Sequence, residues 1–162
     1  MPAILVPVDG STHALKALRI ACDLAEKYGG VIALFHVVVP GRQAGKILGL
    51  PVARSFAPAV VAELKKAAAK GAQPVAAATL RAVGAGILGE AEARVIRRGL
   101  EAEVLPLGAG DPAESILEAI GRAGASVIVM GCRGMSDTEA AGLGSVSQTV
   151  FQKADCTCIS VK

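Results

Sequence analysis

The sequence predicts an α/β protein, a three-layer sandwich built on a parallel sheet. Short apolar runs alternate along the chain with stretches of helical periodicity, and this alternation is typical of a parallel sheet covered by helices on both faces. The run from Val31 to Val38 is almost continuously apolar, as expected for a strand buried on both faces. The 162 residues suit one domain spanning 1–162, long enough to bury a sizeable core.

The chain begins with one strand–helix–strand unit. Ala3 to Val8 is a short apolar strand that ends at Asp9. Ser11 is placed to cap a helix from Thr12 to Tyr28, in which apolar residues recur at helical spacing. Val31 to Val38 follows as the second strand. Crossovers of this kind are almost always right-handed, so the two strands are expected in one parallel sheet.

The middle segment, Val39 to Leu100, has a looser and more basic pattern. Its glycines and prolines predict a long connection before a helix from Pro58 to Lys70, and the alanine-rich stretch from Gly71 to Gly89 shows no clear periodicity. Helical spacing returns from Glu90 to Arg98. The segment carries ten Lys or Arg against three acids, and the rest of the chain seven against eleven. Because the basic residues are interspersed with alanine, a solvated face is favoured over a phosphate-binding patch.

Three strands and two helices are predicted after the middle segment. The strands are Ala102 to Leu107, Ser126 to Met130 and Cys156 to Val161. Asp111 has the position of an N-cap for a helix to about Ala123, with proline and glutamate in its first turn, and its role is expected to be structural. The last helix runs from Val146 to Lys153, with Ser145 and Gln148 as its capping box.

A glycine-rich loop after Met130 is the strongest functional signal. Gly131, Gly134, Gly144 and Ser145 stand in the pattern G-x2-G-x9-G-S. Glycines let the main chain approach a phosphate closely, and the amides at the start of a helix attract anions. The loop therefore favours a phosphorylated ligand, although a surface loop followed by an ordinary cap would have the same local features.

This loop resembles that of the ATP-binding branch of the universal stress protein family. VPVDG at the first strand, LFHVV at the second and GDPAESILEAI before the loop extend the resemblance, which covers Met1 to Val38 and Glu101 to Lys162. It implies a five-stranded sheet of order 3-2-1-4-5, with ATP, and Mg²⁺ as a candidate companion ion, at the switch point between the first and fourth strands. It also implies a regulatory stress-response module that forms a homodimer through its last strand.

The resemblance assigns a set of residues to the nucleotide site. Asp9 is expected at the ribose hydroxyls, with a turn role before the first helix as the alternative. Ser145 and Ser147 are expected to donate to phosphate, and Arg133 to face either phosphate or solvent. Val37 would meet the adenine edge through its main chain. The other expected contacts are main-chain and apolar positions: Pro7, Val8, Met130, Gly131, Gly134, Gly144 and Val146.

Two other functions remain open besides a binding module. One is an enzyme that uses ATP on the same fold, by slow hydrolysis or nucleotidyl transfer, and Asp137 and Glu139 in the loop spacer are the acids that would hold magnesium for it. No P-loop lysine accompanies them, so at most very slow hydrolysis is expected and no catalytic residue is assigned. His36, at the end of an apolar strand, is expected to be structural.

The second open function is that of a dimeric stress protein that binds no nucleotide.

Two further glycine motifs are not interpreted as sites. Gly84, Gly86 and Gly89 spell the GxGxxG of dinucleotide-dependent oxidoreductases, but no strand pattern precedes them. GRQAGK at 41–46 is one residue short of a P-loop and lacks the Ser or Thr that would hold magnesium. Both motifs are expected to be incidental.

Composition limits the partners that this chain can be expected to have. Aromatic residues make up 2% with no Trp, so stacking of bases on aromatic rings is hardly available and nucleic acid is not expected. The sequence has no apolar run long enough for a membrane span and no signal-peptide pattern. The four cysteines form no CxxC pair, so no metal site is expected, and Cys156 and Cys158 should share a strand face. A cytoplasmic protein with an unidentified protein partner is expected.

Overall fold

Strands and helices alternate along the chain in a computed structural model that describes residues 2–71, 73–134 and 144–162. The strands are β1 (Ala3–Pro7), β2 (Val31–Phe35), β3 (Val37–Val38), β4 (Ala102–Val104), β5 (Gly108–Ala109), β6 (Ala125–Gly131) and β7 (Thr157–Val161). The helices are α1 (Thr12–Tyr28), α2 (Ala44–Leu48), α3 (Pro58–Ala69), α4 (Ala77–Ile96), α5 (Pro112–Ala123) and α6 (Ser145–Lys153). A 3-10 turn spans Pro51–Ser55 between α2 and α3.

The main sheet has five parallel strands in the order β4-β2-β1-β6-β7. Counted along the chain within this sheet, that is the order 3-2-1-4-5, so the prediction is confirmed. Leu5 of β1 lies opposite Ala33 of β2 on one side and Ile128 of β6 on the other. The winding therefore reverses between β1 and β6, and the carboxyl ends of these two strands border a switch point.

Helices cover both faces of the sheet and create two cores. Alternate β1 residues point to opposite faces, so Val6 joins the core under α1 and α4, whereas Leu5 joins the core under α5 and α6. Both side chains are fully buried. Leu18 of α1 and Ile116 of α5 are examples of the helical residues that complete the two cores. The three layers of the predicted sandwich follow from this alternation.

Two of the predicted helix caps form as the sequence indicates. The Ser11 hydroxyl accepts a hydrogen bond from the Ala14 amide at 3.2 Å, and Oδ1 of Asp111 accepts one from the Glu114 amide at 2.9 Å. Each cap satisfies an amide that has no partner within its helix, which typically stabilises a protein by about 1 kcal/mol. These bonds fix where α1 and α5 begin beside the carboxyl ends of the strands.

The largest departure from prediction is α4, which is one continuous helix from Ala77 to Ile96. The sequence predicted a helix only from Glu90 to Arg98, which covers the last two turns of α4. Its buried residues recur at helical spacing: Leu80, Val83, Gly84, Ile87, Leu88, Ala91 and Val95. Alanine and glycine occupy both faces, so the contrast between the faces is weak in the sequence although the buried stripe is regular in space.

The GxGxxG motif lies inside α4 and serves packing. A Cβ atom on Gly84 would lie 2.8 Å from Cδ2 of His36, and one on Gly86 would lie 2.9 Å from Cδ1 of Phe56. Only glycine allows these side chains to approach the helix so closely. A dinucleotide fingerprint needs a strand before it and a loop at the glycines, and this helix provides neither.

Several strand ends differ from the predicted boundaries. The second strand was expected to reach Val38, but β2 ends at Phe35, and β3 pairs with β5 in a separate two-stranded sheet. The ring of Phe35 is fully buried, and a Cβ atom on Gly108 would lie 2.6 Å from it. The main chain of β5 thus lies directly against this ring.

The four cysteines are free thiols, of which Cys22 and Cys132 are buried. Cys156 and Cys158 are half-buried and both pack toward the core under α5 and α6, as their spacing predicted. Burial raises the pKa of Cys22, Cys156 and Cys158. The described ranges contain no cluster of three or more metal-ligating side chains. Their helices also include none with the length and apolar character of a membrane span.

Candidate functional site

A cleft of about 160 Å³ opens at the carboxyl ends of β1, β2 and β6. This is the switch point of the sheet, where ligands of open α/β proteins bind. Most of the residues assigned to the nucleotide site lie around it: Pro7, Val8, Asp9, Val37, Met130, Gly131, Arg133, Gly134, Val146 and Ser147. The structure therefore brings together two stretches that are more than a hundred residues apart in the sequence.

Asp9 lines this cleft, directly after β1. Its Oδ1 accepts a hydrogen bond from the Ser11 amide at 2.9 Å, which is the turn role considered from the sequence. Its Oδ2 faces the glycine loop, because a Cβ atom on Gly134 would lie 2.9 Å from that oxygen. The turn role and a place in the cleft are therefore compatible, since each uses a different carboxylate oxygen.

The two described ends of the glycine loop are tied together at Cys132. Its carbonyl oxygen accepts a hydrogen bond from the Gly144 amide at 2.7 Å and lies 3.0 Å from the Ser147 hydroxyl. Its amide donates to the carbonyl of Val161 at 2.8 Å, which joins this point to β7. Gly131 lies so close to α1 that a Cβ atom there would be 2.7 Å from Cβ of His13. The loop thus begins and ends at a fixed place beside the cleft.

The prediction that Ser145 caps the last helix is wrong. The helix begins at Ser145, and Gly144 is the N-cap, with φ −65° and ψ 153° and no side-chain cap bond. Ser145 already has helical backbone geometry and is exposed, so its hydroxyl is not placed to accept from the amides that follow. Gly144 and Ser145 are also absent from the cleft lining. Asp137 and Glu139 lie outside the described residues.

Ser147 faces the cleft from the first turn of α6 and is buried. Its hydroxyl lies 2.9 Å from the carbonyl oxygen of Gly144 and 3.0 Å from that of Cys132. A hydroxyl has one hydrogen, so it donates to one of these carbonyls at a time. Donation to a phosphate, which remains a prediction, requires the hydroxyl to rotate away from both.

His36 forms a buried wall between the cleft and α4. Its Nδ1 lies 2.7 Å from the carbonyl oxygen of Val8. A carbonyl only accepts, so Nδ1 carries the hydrogen in this bond. Burial lowers the pKa of His36, which keeps the ring neutral and leaves Nε2 as an acceptor. The bond to Val8 ties the ends of β1 and β2 together, which is the structural role predicted for this histidine.

Sequence reasoning missed Arg42, which lines the cleft from the connection after β3. Burial lowers the pKa of its guanidinium, and the nearby charge of Asp9 opposes that shift. The only sequence signal was its place a few residues after Val37, in a segment without a recognisable pattern. The other missed residues give the cleft apolar walls: Ala14, Phe35, Val39, Pro112 and Ile116.

A parallel α/β sandwich with a cleft at its switch point, bounded by a carboxylate after β1 and a glycine loop after β6, defines the class of protein. The family described as the Universal stress protein family matches residues 1–162. The chain belongs to this family. The curated Universal stress protein YxiE of Bacillus subtilis (strain 168) is 31% identical over 164 residues, which cover 98% of this chain and 97% of that protein.

Solved structures match the fold over the whole chain. Universal stress protein UspA from Lactobacillus plantarum superposes with a TM-score of 0.72 at 19% identity, covering 99% of this chain and 97% of that one. The universal stress protein from Archaeoglobus fulgidus in complex with dAMP gives a TM-score of 0.59 at 23% identity, with 100% and 98% covered. Other matched universal stress protein structures hold AMP and cAMP. Some structural neighbours of this chain thus bind adenine nucleotides.

Proposed function

We propose that this chain is an ATP-binding regulatory module that acts in a stress response through its nucleotide state. The observation that carries the proposal is the convergence of Asp9, the glycine loop from Gly131 and the start of α6 on one cleft. A carboxylate accepts hydrogen bonds from ribose hydroxyls, and main-chain amides at a loop and helix start attract phosphate. The nucleotides held by solved relatives support the choice of ligand.

The apolar walls of the cleft suit an adenine ring. Ile116 of α5, Met130 of β6 and Val146 of α6 line the cleft. Phe35 at the end of β2 and Val37 of β3 line it as well. Ligand sites are commonly apolar with a few polar groups that fix orientation. The base is proposed to lie in this part of the cleft, with its polar edge at the main chain of Val37.

The phosphates are proposed to lie on the β6 side of the cleft. Arg133, Gly134 and Ser147 line this side, close to the N-terminal end of α6. The guanidinium and the helix dipole both favour negative charge there. Mg²⁺ is proposed to arrive with the phosphates, because it usually binds through substrate phosphates and retained waters with few protein carboxylates.

ATP is proposed to be held without turnover at an enzyme's rate. Phosphoryl transfer needs a positioned nucleophile together with cations that neutralise developing charge. His36, which lines the cleft, already donates through Nδ1 to Val8 and has a lowered pKa. Hydrolysis is expected to be no faster than on the order of 10⁻³ s⁻¹, against about 1 to 10³ s⁻¹ for typical enzymes.

The first experiment identifies adenine compounds released when the purified protein is denatured, and then measures ATP affinity by calorimetry on the nucleotide-free protein. Released or rebound ATP is the expected result, and NAD would indicate an oxidoreductase instead. Asp9→Asn tests the ribose contact, while Asp155→Asn is the matched control on an exposed turn. A protein that binds no adenine nucleotide at millimolar concentration would contradict the proposal.

A second experiment separates the binding module from an enzyme. Pure protein is incubated with magnesium and ATP, and the released phosphate is measured. Turnover of about 1 s⁻¹, within the enzyme range, that disappears in Asp137→Ala or Glu139→Ala would identify an ATP hydrolase and overturn the regulatory proposal. Turnover in the slow range, equal in both variants, is the expected outcome.

The module is further proposed to be a cytoplasmic homodimer that pairs through β7. This strand has a single neighbour, β6, in the described sheet, so its other edge offers main-chain groups for pairing. Ser160, opposite Met130 of β6, lies within this edge strand. A dimer would place the two clefts on one rigid assembly, which is one way for nucleotide state to reach a partner protein.

A further inference from the structure

Three polar side chains form the boundary between the main cleft and a second, smaller cavity. Asp9, His36 and Arg42 line both. The small cavity, about 10 Å³, lies on the α4 side, and its remaining walls are apolar. Residues of the middle segment such as Ile47 and Leu80 supply these walls. The middle segment therefore adds Arg42 and the apolar walls of the small cavity to Asp9 and His36.

Arg42 is the charged donor of this group, and its charge is incompletely compensated. Its side chain is half-buried, and burial lowers its pKa. Within residues 2–71, 73–134 and 144–162 its guanidinium makes neither a hydrogen bond nor an ion pair within 4 Å. The Asp9 carboxylate attracts it only from a longer distance. A guanidinium in this state binds an anion readily, because phosphate oxygens match its fork of donors.

An anion bound by Arg42 would lie on a different side of the cleft from the phosphate chain at the glycine loop. Arg42 follows β2 and β3 on one side of β1, whereas Arg133 and Gly134 follow β6 on the other side. Asp9, after β1, stands between them. A nucleotide whose ribose lies at Asp9 and whose 5′-phosphates reach the glycine loop would therefore present the opposite edge of its ribose to Arg42.

The donors and acceptors of the group define what that ribose edge should carry. Asp9 and Nε2 of His36 are acceptors, so they suit a ribose hydroxyl. Arg42 only donates, so it suits phosphate oxygens. A ribose with one free hydroxyl and one phosphate satisfies both kinds of group. The charge of Arg42 also offsets the repulsion between the Asp9 carboxylate and the added phosphate.

We propose that Arg42 is a specificity-determining residue that admits adenine nucleotides with a phosphate on the ribose 2′ or 3′ oxygen. This inference rests on the proposed adenine-nucleotide site. In dinucleotide-binding folds, a carboxylate binds a free ribose 2′-hydroxyl, whereas an arginine nearby accommodates a 2′-phosphate. Arg42 would accommodate a phosphate in the same way in a different fold. It lies in a connection that the resemblance to the family does not cover.

The test uses three ligands that differ only at the ribose: AMP, adenosine 2′,5′-bisphosphate and adenosine 3′,5′-bisphosphate. Calorimetry should show at least one bisphosphate binding about tenfold more tightly than AMP, as expected for a charge-assisted contact. Arg42→Met keeps the length of the side chain without its charge. It should remove that advantage, so that the affinity for the preferred bisphosphate falls about tenfold more than the affinity for AMP.

Arg54→Met is the matched control, since Arg54 belongs to the same segment but is exposed and outside both cavities. It should leave all three affinities unchanged. Bisphosphates that bind no more tightly than AMP to the wild type, or an equal loss for all three ligands in Arg42→Met, would overturn the inference. ATP and AMP binding in that case would leave the proposed function standing, whereas loss of every adenine nucleotide would overturn both.

Discussion

The two ends of the chain, 1–38 and 101–162, and the middle segment, 39–100, reach their structures by different physical means. In the two ends, the apolar strands and the capped helices such as α1 and α5 have clear sequence patterns. In the middle, α4 packs through alanines and through Gly84, whose missing Cβ admits His36. Close packing of this kind uses small residues that carry little pattern, so the middle segment was the harder part to predict.

The two regions also contribute differently to the cleft. The ends supply Asp9, the glycine loop and the start of α6, which are the parts that the family resemblance predicts. The middle segment supplies Arg42 and closes the cleft on the α4 side. The middle is joined to the ends at its far end as well, where Arg98 donates to Asp23 and Glu26 of α1 at 2.7 Å each. These exposed ion pairs are screened by solvent and orient α4 more than they stabilise it.

The largest effect is expected from Gly134→Val in the glycine loop. The new side chain would overlap Oδ2 of Asp9, which lies 2.9 Å from the position of a Cβ atom. ATP affinity, measured by calorimetry, should fall by about a hundredfold or more, with the fold intact. Gly121→Val, at a glycine with open space around it, is the control and should bind normally. Unchanged ATP affinity in a folded Gly134→Val protein would show that the glycine loop does not bind ATP.

The second prediction tests whether the protein forms a dimer through β7, which lies in the C-terminal end of the chain. Ser160→Pro removes a main-chain donor from β7, which pairs with Met130 of β6 at this position. Sedimentation velocity should change from dimer to monomer, whereas Ser160→Thr should remain a dimer. Circular dichroism checks that the proline variant is folded. A wild-type protein that sediments as a monomer at high concentration would refute the dimer.

The third prediction tests the packing of the middle segment with two glycines of one helix. Gly84→Ala should destabilise the protein by about 1–3 kcal/mol, because its Cβ would crowd the buried His36 ring. Gly89→Ala should stabilise by about 0.4–1 kcal/mol, since nothing lies within 4 Å of that position. Urea unfolding measures both. Equal effects in the two variants would mean that α4 does not pack as described.

The smallest effect concerns pH and connects the two regions at His36. Burial lowers its folded pKa below 6.5, so between these two pKa values the unfolded chain binds more protons. Stability should therefore fall as the pH decreases from about 6.5 toward the folded pKa. The groups that face this ring are Asp9, which favours the charged form, and Arg42, which opposes it.

The control for this pH effect is His36→Gln, which keeps a donor for the Val8 carbonyl but does not titrate. Thermal unfolding of both proteins between pH 7.5 and 5 should show a steeper loss in the wild type. The difference between the two curves gives the contribution of His36. Parallel curves would show that protonation of His36 does not contribute to the pH dependence of stability.

How much the sequence could predict depended on whether the decisive interaction was local. The parallel sheet and the caps at Ser11 and Asp111 were confirmed, because alternation and capping residues act within a few positions. The strand order, which the family resemblance implied, was confirmed as well. The capping box at Ser145 failed since the helix begins one residue earlier, with Gly144 as its cap. Arg42 could not be found from the sequence, because only the fold brings it to Asp9.

The contact between Phe35 and Gly108 provides an NMR signal that reports on the cleft in solution. The ring of Phe35 lies against the α-carbon of Gly108 and also lines the cleft. Protons beside an aromatic ring are shifted by its ring current, and a chain with three Phe, one Tyr and no Trp has few rings to produce such shifts. The α-protons of Gly108 should therefore stand apart in a proton–carbon NMR spectrum. Any ligand that tilts the Phe35 ring on entering the cleft would move them, which gives a built-in signal of occupancy that needs no added probe.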